Sequence, residues 1–163
     1  HLLLARALGA SRIIVSDMVE ERLAVAQELG ASRCVNPQRE DLRQATLEAT
    51  DGLGADAVIV SVGAIPAIEA GLPLARKQGW VNIFGGCPPE SVLALDPNLI
   101  HYNELFLTGT QNATVEHYRR SLELLTMLPQ ARRLVTHRFP LQEAIQAFET
   151  RMGLQGLKAV IDF

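Results

Sequence analysis

The sequence has 163 residues, of which 48% are hydrophobic and 20% charged, a composition typical of one globular domain or of one domain with part of another. A formal charge of -3 and an aromatic content of 5% provide neither the basic surface nor the stacking side chains of a nucleic-acid-binding protein. Two cysteines, Cys34 and Cys87, are too few for a disulfide framework or a cysteine-based zinc site, which favours two buried thiols in a reducing cytoplasm.

The first ten residues form the longest apolar run, which is too short and too interrupted to span a membrane. The run has no cleavage region typical of a signal peptide, and the sequence does not begin with Met. We therefore expect the chain to start inside a longer protein, with no membrane partner.

Helix and strand patterns alternate through the first half of the chain. Leu3, Leu4, Ala7 and Leu8 share one helical face, which Gly9 is placed to end. The β-branched run "RIIVS" at 12–16 then predicts a strand buried on both faces. Beyond it the patterns predict a helix over 19–29, a weak strand at 32–37, a helix over 40–52, the strongest strand at 55–63 and a helix over 66–79 with Pro66 in its first turn.

The second half continues the alternation and ends in a helix followed by a strand. The predicted elements are strands at 79–86, 91–97 and 105–110, a long helix from Val115 to about Pro129, a strand at 133–140, a helix over 141–153 and a last strand at 157–163. Strands and helices that alternate at this spacing indicate right-handed βαβ crossovers and a mostly parallel sheet in an α/β fold.

Asp17 lies at the carboxyl end of the first predicted strand, where open α/β sheets bind ligands. Its carboxylate can accept hydrogen bonds from both hydroxyls of an adenosine ribose. A 2′-phosphate would meet like charge, worth roughly 4 kcal/mol before screening at about 4 Å and an effective dielectric near 20. The residue thus favours NAD over NADP, unless it only caps the next helix.

Other candidate residues carry alternatives of the same kind. Arg22 could reach the same ribose, pair with Asp17 or Glu21, or remain on the surface. Gly63, and the pair Gly85 and Gly86, follow two strands and could let a flat ring approach the backbone, although ordinary turns also use glycine. Neither the four histidines nor any Ser/His/Asp or Cys/His set forms a pattern, so the sequence predicts no catalytic residue and no metal ligand.

The ordered set of segments resembles the C-terminal half of the zinc-dependent medium-chain dehydrogenases, the group of alcohol, sorbitol and threonine dehydrogenases. The segments are "ARALGASRIIVSD" with Asp17 and Arg22, "GADAVIVSVGA", "GWVNIFGGCPP", "LTGT" and the closing "LQEAIQAFE" and "LKAVIDF". Each is weak alone, but together they cover nearly the whole chain in the right order. The resemblance implies a Rossmann-like, doubly wound fold that binds NAD.

The resemblance also implies roles for particular residues. Asp17 would bind the adenosine ribose with help from Arg22, and Lys158 would face the pyrophosphate. The backbones of Val62, Gly63, Phe84, Gly85, Gly86, Cys87, Thr110 and Gln111 would line the nicotinamide pocket. The segment at 91–97, through Val92, Leu93, Ala94 and Leu95, is similar to a strand that pairs with its twin in a homo-oligomer.

The resemblance also implies parts that this sequence does not contain. The first strand with its glycine-rich loop, and the domain with the catalytic zinc ligands, would precede His1, so the chain alone should be inactive. We expect residues 1–112 to form a partial dinucleotide-binding domain. Residues 113–163 should form a segment whose apolar face packs on the absent domain.

Without its first strand, the sheet would leave backbone groups of the strands at 12–16 and 55–63 unpaired. The gap could close by direct pairing of these strands, by rearrangement, by a partner chain or by a separate N-terminal piece.

Two other functions remain open from the sequence. A Rossmann-like methyltransferase also places an acidic residue at the second strand, but usually ends in an antiparallel hairpin instead of a helix and strand. A non-catalytic assembly module would keep the fold without the cofactor.

Overall fold

Helices and strands alternate along the whole chain in the computed structural model, which describes residues 1–163. The helices are α1 (Leu2–Ala7), α2 (Glu20–Glu28), α3 (Leu42–Ala49), α4 (Ile65–Gly71), α5 (Pro97–Asn103), α6 (Val115–Met127) and α7 (Ala144–Met152). The strands are β1 (Ile14–Ser16), β2 (Arg33–Val35), β3 (Ala55–Val60), β4 (Ala75–Ile83), β5 (Phe106–Gly109), β6 (Val135–Pro140) and β7 (Lys158–Asp162). Short 3-10 helices lie at Leu72–Leu74, Pro129–Leu134 and Leu141–Glu143.

All strand pairings are parallel, which confirms the predicted class. The strands form three ladders, β1–β2, β3–β4–β5 and β6–β7, where the sequence predicted one sheet. No strand pairs with a strand of another ladder, so the three ladders do not join into one continuous sheet. β1 pairs with β2 and with no other strand, so the direct pairing considered above is not formed.

The chain divides into two compact units. The first consists of residues 1–39 and 114–163, and the second of residues 40–113. The division into 1–112 and 113–163 expected from the resemblance stays a prediction.

The second unit has its core between the ladder β3–β4–β5 and helix α4. Val60, Ile68, Leu72 and Val81 are its buried members, and Val58, Ile83 and Leu107 pack against them. Because residues of a strand alternate between faces, Trp80, Asn82 and Phe106 lie on the other face, where the rings of Trp80 and Phe106 stack with centroids 4.6 Å apart. One face of this ladder therefore supports the core and the other remains half-exposed.

The first unit is held by smaller contacts. Leu3, Leu29 and Ala131 form a buried cluster, and the guanidinium of Arg6 donates to the carbonyl oxygen of Leu29 at 2.9 Å. Helix α7 links the parallel strands β6 and β7 along the chain, and its Ala147 is buried. The run at 12–16, predicted to be buried on both faces, is at most half-buried here, because β1 has one neighbouring strand.

Two local predictions were wrong. The helix predicted over 66–79 ends at Gly71, because Pro73 has no N–H to continue it, and β4 already begins at Ala75. No strand forms at 91–97, where Leu93 and Leu95 instead pack against the core of the second unit.

Helix α5 was missed, although its start has a sequence signature. The carboxylate of Asp96 accepts from the backbone N–H of Asn98 at 2.9 Å, and Pro97 follows at the first helical position. An N-cap aspartate before a proline is a standard helix start.

Candidate functional site

Asp17 follows the last residue of β1, and its backbone N–H extends the ladder by donating to the carbonyl oxygen of Val35 at 3.2 Å. Its Oδ1 accepts from the backbone N–H of Val19 at 2.9 Å, in the turn that leads into α2. Its Oδ2 lies 3.8 Å from Nη1 of Arg22, and 32% of the side chain is exposed. The interpretation that Asp17 caps α2 is wrong, because Val19 is the N-cap and no side chain caps this helix. One oxygen of Asp17 orders the preceding turn, and the other can accept from a ligand.

Arg22 is largely buried on the first turn of α2, with 18% of its side chain exposed. Its Nε donates to the carbonyl oxygen of Gly156 at 3.2 Å, and its Nη2 donates to that of Leu154 at 3.1 Å. Neither carbonyl was among the partners considered from the sequence, which were Asp17, Glu21 and a ribose. These bonds cross more than 130 residues, and no pattern in the sequence indicates them.

Lys158 is the exposed first residue of β7, and its surroundings belong to the same unit as Asp17 and Arg22. The hydroxyl of Thr136 accepts from the backbone N–H groups of Leu157 and Lys158 at 3.0 and 3.3 Å. The side chain that would face a pyrophosphate is thus carried on a fixed backbone. Sequence reasoning missed Thr136, which lies in β6 and meets β7 only through the fold.

Six of the eight predicted nicotinamide residues line one cleft of the second unit, with a volume of about 560 Å³. Phe84, Gly85, Gly86 and Cys87 line it after β4, and Thr110 and Gln111 line it after β5. The structure therefore brings six of the eight predicted residues together. The carboxyl ends of the adjacent parallel strands β4 and β5 meet at one edge of the sheet, which brings together these residues that the resemblance implied.

The rest of the cleft wall is mainly apolar and comes from the core of the unit. Sequence reasoning did not assign these residues to the cleft; they are Ile65, Ile68, Ile83, Ser91, Leu93, Leu107, Thr108 and Gly109. The apolar spacing within each element pointed to the core but gave no indication of which residues border a cleft.

Val62 and Gly63 do not line the cleft but support it. A Cβ on Gly63 would overlap the carbonyl oxygen of Gly86, and a Cβ on Gly85 would lie 2.5 Å from the carbonyl carbon of Val62. A Cβ on Gly86 would meet nothing within 4 Å. Gly63 and Gly85 thus let two loops touch, whereas Gly86 borders open space where a ring could approach the backbone.

The cysteines and histidines lie in ordinary surroundings. Both cysteines are unpaired and half-buried, less buried than predicted. Burial raises the pKa of the Cys34 thiol, against a smaller opposite effect of the Arg33 charge, and the thiol donates to the carbonyl oxygen of Leu23 at 3.4 Å.

No three His, Cys, Asp or Glu side chains are grouped so that they could hold a metal ion. No helix has both the length and the apolar character needed to cross a membrane.

Comparison with known proteins places this geometry in a family. The sequence profile described as zinc-binding dehydrogenase matches residues 2–127. D-arabitol-phosphate dehydrogenase from Enterococcus avium is 32% identical over 99% of this chain, which spans 46% of that protein.

Solved structures agree in fold. An alcohol dehydrogenase from Thermotoga maritima superposes with a TM-score of 0.91 at 27% identity, over 98% of this chain and 45% of its own. A zinc-binding dehydrogenase from Sinorhizobium meliloti, solved bound to NADP, gives 0.88 at 25% identity, over 98% of this chain and 47% of its own. The chain therefore spans about half the length of the relatives it matches.

These matches confirm the Rossmann-like α/β fold and the resemblance drawn from the ordered motifs. The family profile covers Asp17, Arg22 and every predicted nicotinamide residue, and the structural agreement extends over the last helix and strand. The chain belongs to the zinc-binding dehydrogenase family, in which it matches the C-terminal half of the zinc-dependent medium-chain dehydrogenases.

Proposed function

We propose that this chain is the NAD-binding part of a zinc-dependent dehydrogenase that oxidises an alcohol or polyol. The observation that carries the proposal is the Asp17 carboxylate at the carboxyl end of β1, with one oxygen bonded to the Val19 turn and the other available to a ligand. In the first unit, Asp17 would accept from the ribose hydroxyls. Lys158 would provide a positive charge for the pyrophosphate.

The choice of NAD over NADP rests on charge and on the partners of Arg22. A 2′-phosphate beside Asp17 would meet like charge. Arg22, whose Nη1 lies 3.8 Å from Asp17, already donates to two backbone carbonyls. The structure from Sinorhizobium meliloti was solved bound to NADP, so the preference of this chain for NAD has to be measured against NADP.

The cleft of the second unit suits a nicotinamide ring. Its wall is mostly apolar, so a bound ring would lose contact with water, and Gly86 leaves room for the ring to approach the backbone. Backbone groups near Gly85 and Thr110 would orient the carboxamide. When bound, NAD supplies the electrophilic carbon that takes up hydride from the alcohol.

The charges of the two units also support this division of roles. The first unit carries 12 Lys and Arg against 9 Asp and Glu, whereas the second carries 3 against 9. A surplus of positive charge in the unit with Asp17, Arg22 and Lys158 favours the approach of a doubly negative pyrophosphate.

The remaining parts of the proposal concern the whole protein. The described residues do not fit a zinc site, so the metal and the proton transfer are assigned to residues outside this chain. The polyol substrate follows from the D-arabitol-phosphate dehydrogenase relative. A homo-oligomer through Val92, Leu93, Ala94 and Leu95 follows from the resemblance; Val92 is 81% exposed, whereas Leu93 and Leu95 pack against the core of this unit. Unpaired cysteines favour the cytoplasm.

Calorimetric titration with NAD, NADP and S-adenosylmethionine tests the proposal. The wild-type protein should bind NAD more tightly than NADP. Asp17→Asn should weaken NAD binding by about tenfold or more, equivalent to roughly 1.4 kcal/mol, because it removes the charge that attracts the ribose hydroxyls. An asparagine keeps an oxygen that can accept from Val19, so the turn should persist.

Glu21→Gln is the matched control, since it removes an exposed carboxylate from the same helix start. It should leave NAD affinity within about twofold of the wild type, because exposed charges at this distance are screened. NADP binding in preference to NAD would contradict the cofactor choice. Heat with S-adenosylmethionine alone would favour a methyltransferase, and no heat with any of the three would favour an assembly module.

A further inference from the structure

Arg22 links three segments of the first unit. Its guanidinium donates to the carbonyl oxygens of Leu154 and Gly156, and its Nη1 lies 3.8 Å from the Asp17 carboxylate. The planar guanidinium presents donors in a fixed fork, which suits two carbonyls on one short loop. The Arg22 side chain thus lies between the Asp17 carboxylate and the loop that precedes Lys158.

The loop at residues 153–157, here called the Arg22-bound loop, has little freedom. Leu154 has a φ of 58° and Gly156 a φ of 60°, both in the left-handed region. A Cβ on Gly156 would overlap the hydroxyl of Thr136, which shows how closely this loop lies against β6. A non-glycine residue in the left-handed region needs surrounding contacts to hold it, and Arg22 contributes the bond to Leu154.

The end of the Arg22-bound loop leads directly into Lys158. The Thr136 hydroxyl accepts from the N–H groups of Leu157 and Lys158. It also donates to the carbonyl oxygen of Lys158 at 3.2 Å. Arg22 therefore holds the start of the loop while Thr136 holds its end.

We propose that Arg22 is a positioning residue that acts through the Arg22-bound loop to place Lys158 for the pyrophosphate, in register with the Asp17 carboxylate. The identity of the ligand rests on the proposed function, but the structural link between Arg22 and Lys158 does not. Direct binding of the ribose by Arg22 is the competing role, and the two roles predict different results.

A double-mutant cycle with two ligands separates these roles. NAD carries the pyrophosphate and adenosine does not, so a loss through Lys158 should affect NAD more. Arg22→Gln should weaken NAD binding by about fivefold to tenfold and adenosine binding by less than about twofold, because charge-assisted hydrogen bonds are lost only from the loop. In a Lys158→Ala background, Arg22→Gln should have little further effect on NAD. Equal losses for both ligands, or an undiminished effect in that background, would overturn the proposal.

Amide hydrogen exchange tests the link without any ligand. Exchange at Leu157 and Lys158 should be at least about fivefold faster in Arg22→Gln than in the wild type, since local opening becomes easier. Arg22→Lys keeps the charge but lacks the fork, so it should fall between the two. Arg39→Gln is the matched control, because Arg39 pairs with Glu20 on the surface of the same unit at 3.1 Å and does not contact the loop.

The two proposals can fail separately. A wild-type protein that binds neither NAD nor adenosine contradicts the proposed function, and the exchange rates then decide the role of Arg22 alone. Unchanged exchange at Leu157 and Lys158 in a folded Arg22→Gln protein would show that Arg22 does not hold the loop.

Discussion

Neighbouring glycines at the end of β4 differ in what surrounds them. The sequence predicts the same role for Gly85 and Gly86, namely room for a flat ring beside the backbone. In the structure only Gly86 borders open space, while Gly85 touches the backbone between Val62 and Gly63. Identical residues one position apart therefore differ in their surroundings, since one borders open space and the other makes a loop contact.

This difference predicts opposite results for two alanine substitutions. Gly85→Ala should destabilise the fold by about 1–3 kcal/mol or more, because its Cβ would meet backbone atoms that cannot move independently. Gly86→Ala should change the free energy of unfolding by less than about 0.5 kcal/mol, since neither contact nor a left-handed φ opposes it. Urea unfolding measures both variants. Equal stability of the two would show that the loops around Val62 can separate without cost.

At the scale of elements, helix ends depend on short-range chemistry that the sequence contains. Helix α6 begins with a reciprocal pair in which Thr114 Oγ1 accepts from the His117 N–H at 3.3 Å and His117 Nδ1 accepts from the Thr114 N–H at 3.2 Å. Similarly, Asp96 and Pro97 begin α5 and Pro73 prevents α4 from continuing. The wrong and missed boundaries thus lie where a cap or a proline starts or ends a helix in disagreement with the apolar pattern.

The cap of α6 can be tested with one pair of variants. Thr114→Ala should lower stability by about 1 kcal/mol, because the N–H groups at the helix start lose their acceptor. Thr114→Ser keeps the acceptor and should lower stability by at most a few tenths of a kcal/mol. Circular dichroism during urea unfolding provides the comparison. A serine variant as unstable as the alanine variant would assign the effect to the lost methyl group instead of the cap.

At the scale of the whole molecule, large apolar side chains remain exposed on the two C-terminal helices. Val115, Tyr118, Leu122 and Leu125 are 51–84% exposed on α6, and Ile145, Phe148 and Met152 are 67–82% exposed on α7. This confirms the prediction that the tail exposes an apolar face. Its covering by a catalytic domain stays a prediction.

The exposed apolar side chains of α6 and α7 predict that the isolated chain self-associates and binds a hydrophobic dye. Leu122→Gln should reduce self-association and the binding of a hydrophobic fluorescent dye, with a change in unfolding free energy below about 0.5 kcal/mol. Arg119→Gln, an exposed polar change on the same helix, should alter neither. Light scattering and dye titration provide the readouts. A stability loss in Leu122→Gln comparable to that of a core variant would mean that this side chain is buried in solution.

The sequence by itself determined the alternation of helices and strands, the parallel pairing and the family. These features follow from local periodicity and from the order of motifs, which any chain with this pattern carries before it folds. Six of the residues predicted for the nicotinamide pocket lie together, because adjacent parallel strands end at one edge. The position of Asp17 directly after a strand could be predicted from the sequence in the same way, and its role stays a prediction.

Only the tertiary structure decided which candidate residues act on one another. Arg22 bonds to Leu154 and Gly156, 132 and 134 residues away, and Gly85 is constrained by a loop that precedes α4. The same is true of the three separate ladders, since pairing depends on which strands lie side by side. Contacts of this kind form between segments whose local patterns are independent, so their geometry exists only once both segments are folded.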